Sequence, residues 1–196
     1  MGLKLEYPEG ATPLDPDYAE GLIPTHITTV GQLNEWEFLN VSKGEEWAFR
    51  TPRREVLAAS FVETLHEKMF GDTWRWAGRI RTRETAPVGV APEHIRPELH
   101  NLLADVQAQI DYRSWSIQEI AARFHHRMVF IHPFPNGNGR FSRTITDILL
   151  WQNGTERFSW GADLIHDGNA RQTYISALRA ADQGDYRPLF ALLEVA

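Results

Sequence analysis

At 196 residues, 42% hydrophobic and 23% charged, the chain has the make-up of a globular protein and the length of one sizeable domain. A formal net charge of −6 argues against a nucleic-acid backbone as its main partner, and the absence of cysteine excludes disulfides, a thiol nucleophile and cysteine-ligated zinc. No apolar run approaches the roughly 20 residues of a membrane span, and MGLKLEYPEG is too acidic for a signal peptide, so a cytoplasmic protein with no membrane contact is expected.

Residues 1–27 are rich in Pro, Gly and Asp and read as an N-terminal arm, with Asp15 or Asp17 capping a short helix that ends near Glu20 and Gly21. Residues 28–196 read as the domain proper. Thr28 or Thr29 opens a helix through Leu33, Trp36, Phe38 and Leu39. Thr51-Pro52 predicts the next helix start, with Leu57, Phe61, Leu65 and Met69 forming a buried stripe. From Gly71 to Pro97 the glycines and prolines suit a short hairpin or extended loop, and Arg75, Arg79, Arg81 and Arg83 read as a solvated charged edge. A helix from about Pro97 carries Leu99, Leu102, Leu103, Val106 and Ile110. Ser116 and Glu119 form a capping box for a helix running to about Ile131. The following helix stops at Gly154, another spans about Asn169 to Asp182, and the last begins near Asp185.

Between the two central helices lies HPFPNGNGR, His132 to Arg140. Pro133 disfavours helical geometry at His132, so the first helix ends there. A glycine-rich turn opening the second helix aims backbone N–H groups and the positive end of the helix dipole at one spot, which makes an anion site. Arg140 and Arg143 share a face of the first turn, where cations are unfavourable unless an anion is present. An imidazole with an ordinary pKa of about 6.5 beside such a cradle suggests chemistry on a phosphate ester. His125 and His126 make a poor metal set with His132, and their ring directions, about 100° apart, suggest one in the core and one at the surface. Trp74, Trp76, Trp115, Trp151 and Trp160 read mainly as core residues rather than base-stacking platforms.

The nonapeptide resembles the signature of the Fic (filamentation induced by cAMP) family, HPFx(D/E)GNGR followed by a further arginine, with Asn136 as its one departure and Arg143 as the second arginine. FHHRMVFIHPF is similar to the helix entering that loop, WAGRIRT with VGVAPEHI resembles the family's flap, and GDYRPLFALLE resembles its closing helix. The opening stretch LDPDYAEGLIPTHITT with QLNE resembles a bacterial subgroup named mobile mystery protein B.

The resemblance implies a mainly α Fic fold, a helical bundle with a small β-hairpin flap. It implies a protein adenylyltransferase that moves AMP from ATP to a Ser, Thr or Tyr hydroxyl of a target protein. His132 is then the base. Gly137, Asn138, Gly139, Arg140 and Arg143 hold the phosphates, and Thr82, Val88, Gly89 and Val90 of the flap dock the target. Mg2+ would be held at Asn136, where an amide oxygen replaces the usual carboxylate. Glu20-Gly21 resembles the end of an inhibitory motif, (S/T)xxxE(G/N), whose Ser/Thr position falls on Pro16. An ordinary acidic arm residue is the equal alternative. Transfer of another nucleotide or phosphate group, and a non-catalytic nucleotide-binding regulator, remain open alternatives. So do a regulatory partner protein and a homo-oligomer.

Overall fold

The computed structural model describes residues 16–50, 55–85, 88–160 and 168–195. The described residues form α1 (Pro16–Ala19), α2 (Val30–Arg50), α3 (Ala59–Phe70), α4 (Pro92–Asp111), α5 (Ile117–Ile131), α6 (Asn138–Gln152), α7 (Gly168–Asp182) and α8 (Arg187–Leu192). Most of the predicted arm, including Asp15, lies outside the described residues.

Helix starts follow local chemistry. At α2, Thr29 Oγ1 accepts from the Gln32 amide, while Gln32 Oε1 accepts from the amides of Thr28 and Thr29, a reciprocal cap. Ser116 caps α5 by accepting from the Glu119 amide at 3.2 Å. Two starts differ from expectation. The third helix begins at Ala59, and Thr51-Pro52 lies outside the described residues. The fourth begins at Pro92, with Pro97 inside it. Pro92 takes the first turn, where a missing N–H is harmless, and Pro97 removes one bond a turn later without ending the helix.

α5 is the central element, touching α4, α6, α7 and α8, while α2 and α3 pack together and against α6. This arrangement buries both His125 and His126 rather than one of them. Neighbours on opposing flanks of α5 cover two directions that sequence alone leaves undetermined. His125 Nε2 meets the Tyr174 hydroxyl at 2.8 Å; His126 Nε2 meets Asp182 at 2.8 Å and its Nδ1 meets the Tyr186 hydroxyl at 3.1 Å. Among the described residues no three potential ligands cluster for a metal, and no helix is long and apolar enough to cross a membrane.

The expected β-hairpin is not seen among the described residues, whose one β-pairing is an isolated bridge between Leu22 and Trp74. In its place Thr85 and Val88 bond each other. The Val88 amide donates to the Thr85 carbonyl at 2.9 Å, and Thr85 Oγ1 donates to the Val88 carbonyl at 2.7 Å. The two limbs are joined by a side chain instead of a ladder: Arg81 donates to the carbonyls of both Arg83 and Val90.

Candidate functional site

α5 ends at His132, which adopts left-handed geometry (φ 54°, ψ 60°) because Pro133 excludes another helical residue. The conformation is strained for a non-glycine residue, and two bonds hold it. Its amide donates to the Met128 carbonyl at 3.2 Å, and its carbonyl accepts from Arg81 Nε at 2.7 Å. Arg81, read from sequence as part of a solvated edge, is only 1% exposed. Its four acceptors are the carbonyls of Arg83, Val90, Ile131 and His132, so one guanidinium ties the flap to the end of α5.

The His132 ring is mostly buried. Burial and the positive Arg81 lower its pKa to about 4, with the Val129 carbonyl opposing them. The ring is therefore neutral at physiological pH and free to accept a proton. Nδ1 is sealed from solvent without a well-formed hydrogen bond, which leaves Nε2 as the nitrogen able to face a substrate. The flap lies directly against this residue: a methyl on Gly89 would sit 3.0 Å from His132 Cβ and 2.5 Å from Arg81 Nη2. Thr82, Val88 and Gly89 are exposed and Val90 is half-buried.

The loop after His132 is built from the inside. Asn138 is buried, and its side chain accepts from the Phe134 amide at 2.9 Å and donates to the Phe134 carbonyl at 2.7 Å. That amide side chain is thus a brace, and Asn138 has its backbone N–H left for a ligand. Phe134 is fully buried, stacked on His66 with centroids 3.7 Å apart and edge-on to Phe141. Gly137 has φ 76°, and a Cβ there would fall 2.4 Å from the Phe70 ring, so only glycine fits. The amides of Asn138, Gly139 and Arg140 follow in the first turn of α6, where the helix itself supplies no acceptor.

His66 was not singled out by the sequence. Its Nδ1 accepts from the Gly78 amide at 3.0 Å, which puts the ring proton on Nε2, donating to the Asn136 carbonyl at 3.1 Å. Burial, partly opposed by that carbonyl, lowers its pKa to about 3. A neutral ring thus links α3, the base of the flap and the loop.

Arg140 is held between Glu37 Oε2, 2.7 Å from its Nη2, and the face of Phe70 at 5.1 Å. Glu37, on α2 and 4% exposed, also accepts from Trp74 Nε1 at 2.6 Å. Arg143 lies over the Tyr174 ring at 5.9 Å and has no carboxylate partner among the described residues. Glu20 is exposed on the turn after α1; its carbonyl accepts from Arg75, and its carboxylate pairs with no described residue, Arg143 included. Asn136 turns its side-chain oxygen back onto the Gly137 amide. One committed amide oxygen does not fit Mg2+, which favours charged hard oxygens. The site's positive charge resides in its arginines and the N-terminus of α6.

Residues 56–150 match the Fic/DOC family model. Among curated proteins, the chain is 27% identical to the protein adenylyltransferase fic-1 of Caenorhabditis elegans over 173 residues, covering 85% of this chain and 31% of that protein. It is 30% identical to its counterpart in Caenorhabditis briggsae over 171 residues, with the same coverage of 85% and 31%. The chain therefore spans about a third of these relatives. Among solved structures it resembles the N-terminal Fic domain of a putative cell filamentation protein from Bartonella quintana with bound ADP (TM-score 0.69, 21% identity, 87% of this chain and 86% of that one). It also resembles the BepC protein of Bartonella tribocorum with bound AMPPNP (TM-score 0.68, 22% identity, 86% and 87% covered). The helical architecture described above is the Fic fold.

Proposed function

We propose, from the premise that residues 56–150 are a Fic/DOC family domain, that the protein transfers AMP from ATP to a hydroxyl side chain of a target protein. The observation that carries this reading is the junction of three features at His132: a neutral imidazole, the N-terminal anion cradle of α6 one loop away, and the flap seated against it. The curated relatives named protein adenylyltransferases support the same chemistry.

In this reading the target lies along the exposed flap residues Thr82, Val88 and Gly89 as an added extended segment, and its hydroxyl reaches His132. The hydroxyl oxygen forms a bond to the α-phosphorus as the bond to the α–β bridging oxygen breaks. Pyrophosphate leaves with that electron pair, and the hydroxyl proton passes to Nε2 of His132. The amides of Gly139 and Arg140, with the guanidiniums of Arg140 and Arg143, spread the phosphate charge. Arg140 reaches phosphate by exchanging part of its contact with Glu37.

A second reading, a nucleotide-binding regulator without transfer, is favoured by Asn136, whose amide bonds its own loop in the position expected to hold a metal. Incubation with ATP labelled at the α- or γ-phosphate separates the two. Protein-bound α-label is the expected result, γ-label on protein means kinase-type transfer, and tight ATP binding without either label supports the regulator.

A further inference from the structure

We propose that Arg171 of α7 is a further phosphate-binding residue, the third cation of the polyphosphate site, acting on the end of the phosphate chain furthest from His132. The inference rests on the nucleotide-binding part of the reading above.

Arg171 and Tyr174 lie three residues apart on α7 and share a face. Tyr174 is buried and anchored to α5 through His125. Arg143 of α6 lies over the same tyrosine ring. Arg171 is close enough to Arg143, Tyr174 and Arg140 to interact electrostatically with all three. Burial and the neighbouring positive charges of Arg143 and Arg140 all disfavour the charged form of Arg171. Its Nε is sealed from solvent and makes no hydrogen bond.

This arrangement departs from the way the chain treats its other half-buried arginines. Arg123 is paired with Glu119, Arg127 with Glu98 and Arg140 with Glu37. Arg143 and Arg171 have no carboxylate partner among the described residues, although they repel each other and Arg171 loses hydration. Partly desolvated like charges are unfavourable unless an anion completes the set. Guanidinium forks match phosphate oxygens, and a triphosphate carries enough charge to neutralise three of them. Arg143 sits one turn further along α6 from the His132 loop than Arg140. The guanidinium beside Arg143 therefore meets the distal phosphates and leaves the one under attack to the loop.

The test is calorimetric titration of the full chain with ATP, ADP, AMP and inorganic tripolyphosphate at fixed ionic strength. Arg171→Gln should weaken ATP and tripolyphosphate about tenfold or more, the loss of one charge-assisted contact, while AMP changes by less than about twofold. Arg179→Gln, a change of an exposed arginine on the same helix, should change none of them. Equal weakening of ATP and AMP, or an unchanged ATP-to-AMP affinity ratio, overturns the proposal and leaves Arg171 a packing residue. If thermal melting shows that Arg171→Gln fails to fold, Arg171→Lys keeps the charge and loses the fork. Its ATP-to-AMP ratio should fall about threefold, and an unshifted ratio overturns the proposal. ATP bound tightly without AMP transfer counts against the transferase reading alone, since the affinity ratios still test Arg171. A wild-type chain that binds neither ATP nor tripolyphosphate overturns both.

Discussion

The two sides of the HPFPNGNGR loop are built differently. Toward α2 and α3 its polar groups are matched: Arg140 with Glu37, the Asn136 carbonyl with His66, and Phe134 with the Asn138 side chain. Toward the flap and α7, His132 keeps Nε2 for a substrate, Arg171 Nε makes no hydrogen bond, and Arg143 and Arg171 have no carboxylate partner among the described residues. Glu37, His66 and the Asn138 side chain hold the loop together, whereas His132 Nε2 and the Arg143 and Arg171 guanidiniums are kept for a ligand. Substitutions of the first set, the matched side, should therefore destabilise the protein, while those of the second, the open side, should chiefly change how it handles nucleotide.

The largest effect expected is on the open side. His132→Asn keeps a residue that tolerates φ 54° and removes the base. α-Label transfer should fall by about 10²–10⁴-fold with the melting temperature nearly unchanged; a large drop in stability would break the contrast. On the matched side, Glu37→Ala leaves Arg140 and the buried Trp74 N–H unpartnered. By denaturant titration it should cost about 3–5 kcal/mol, and a loss below about 1 kcal/mol would show that Glu37 is not part of the matched set. Asn138→Ala removes both bonds to Phe134 and should cost about 1–3 kcal/mol in the same measurement.

Acid crosses the boundary between the two sides. His66 and His125 have pKa values near 3 and His132 near 4, below the unfolded value of about 6.5. Their neutral forms favour the fold fully above pH 6.5. As pH falls from there toward 4, the unfolded chain takes up protons that the folded rings refuse. Stability should then decline by up to about 1.4 kcal/mol per pH unit for each ring. Urea midpoints between pH 7.5 and 4.5 read this directly, and a flat profile would mean that the rings are hydrated.

The matched side is also the one that sequence hides. The ends of α5 and α6 were legible because Ser116, Pro133, Gly137 and Gly154 act within a turn of themselves. His66 meets Asn136 across 70 residues and Glu37 meets Arg140 across 103, and no local pattern marks either pair. Arg81 was misread because alternation with other arginines suggested a solvated edge, whereas its guanidinium turns inward to four carbonyls. Pro97 reads as the helix start and Pro92 as part of the hairpin or loop, because proline suits a first turn, whereas α4 begins at Pro92 and buries Ile95. Arg171 carried no motif at all. What distinguishes it is that no carboxylate among the described residues pairs with it, visible only once α6 and α7 are placed together.

Asn136→Asp should have the smallest effect on the fold and sharpens the contrast at its border. Aspartate keeps an oxygen that can accept from the Gly137 amide, as Asn136 does, and adds negative charge beside the N-terminus of α6 and near Arg140. Stability should rise by about 0.3–1 kcal/mol. The new carboxylate has a second oxygen that the loop does not use, and this is the hard donor the native amide lacks. If that oxygen is free, transfer should become more dependent on Mg2+ and faster when the metal is supplied. If stability rises while Mg2+ dependence stays as in the native chain, residue 136 belongs wholly to the matched side, and any metal is positioned by phosphate alone.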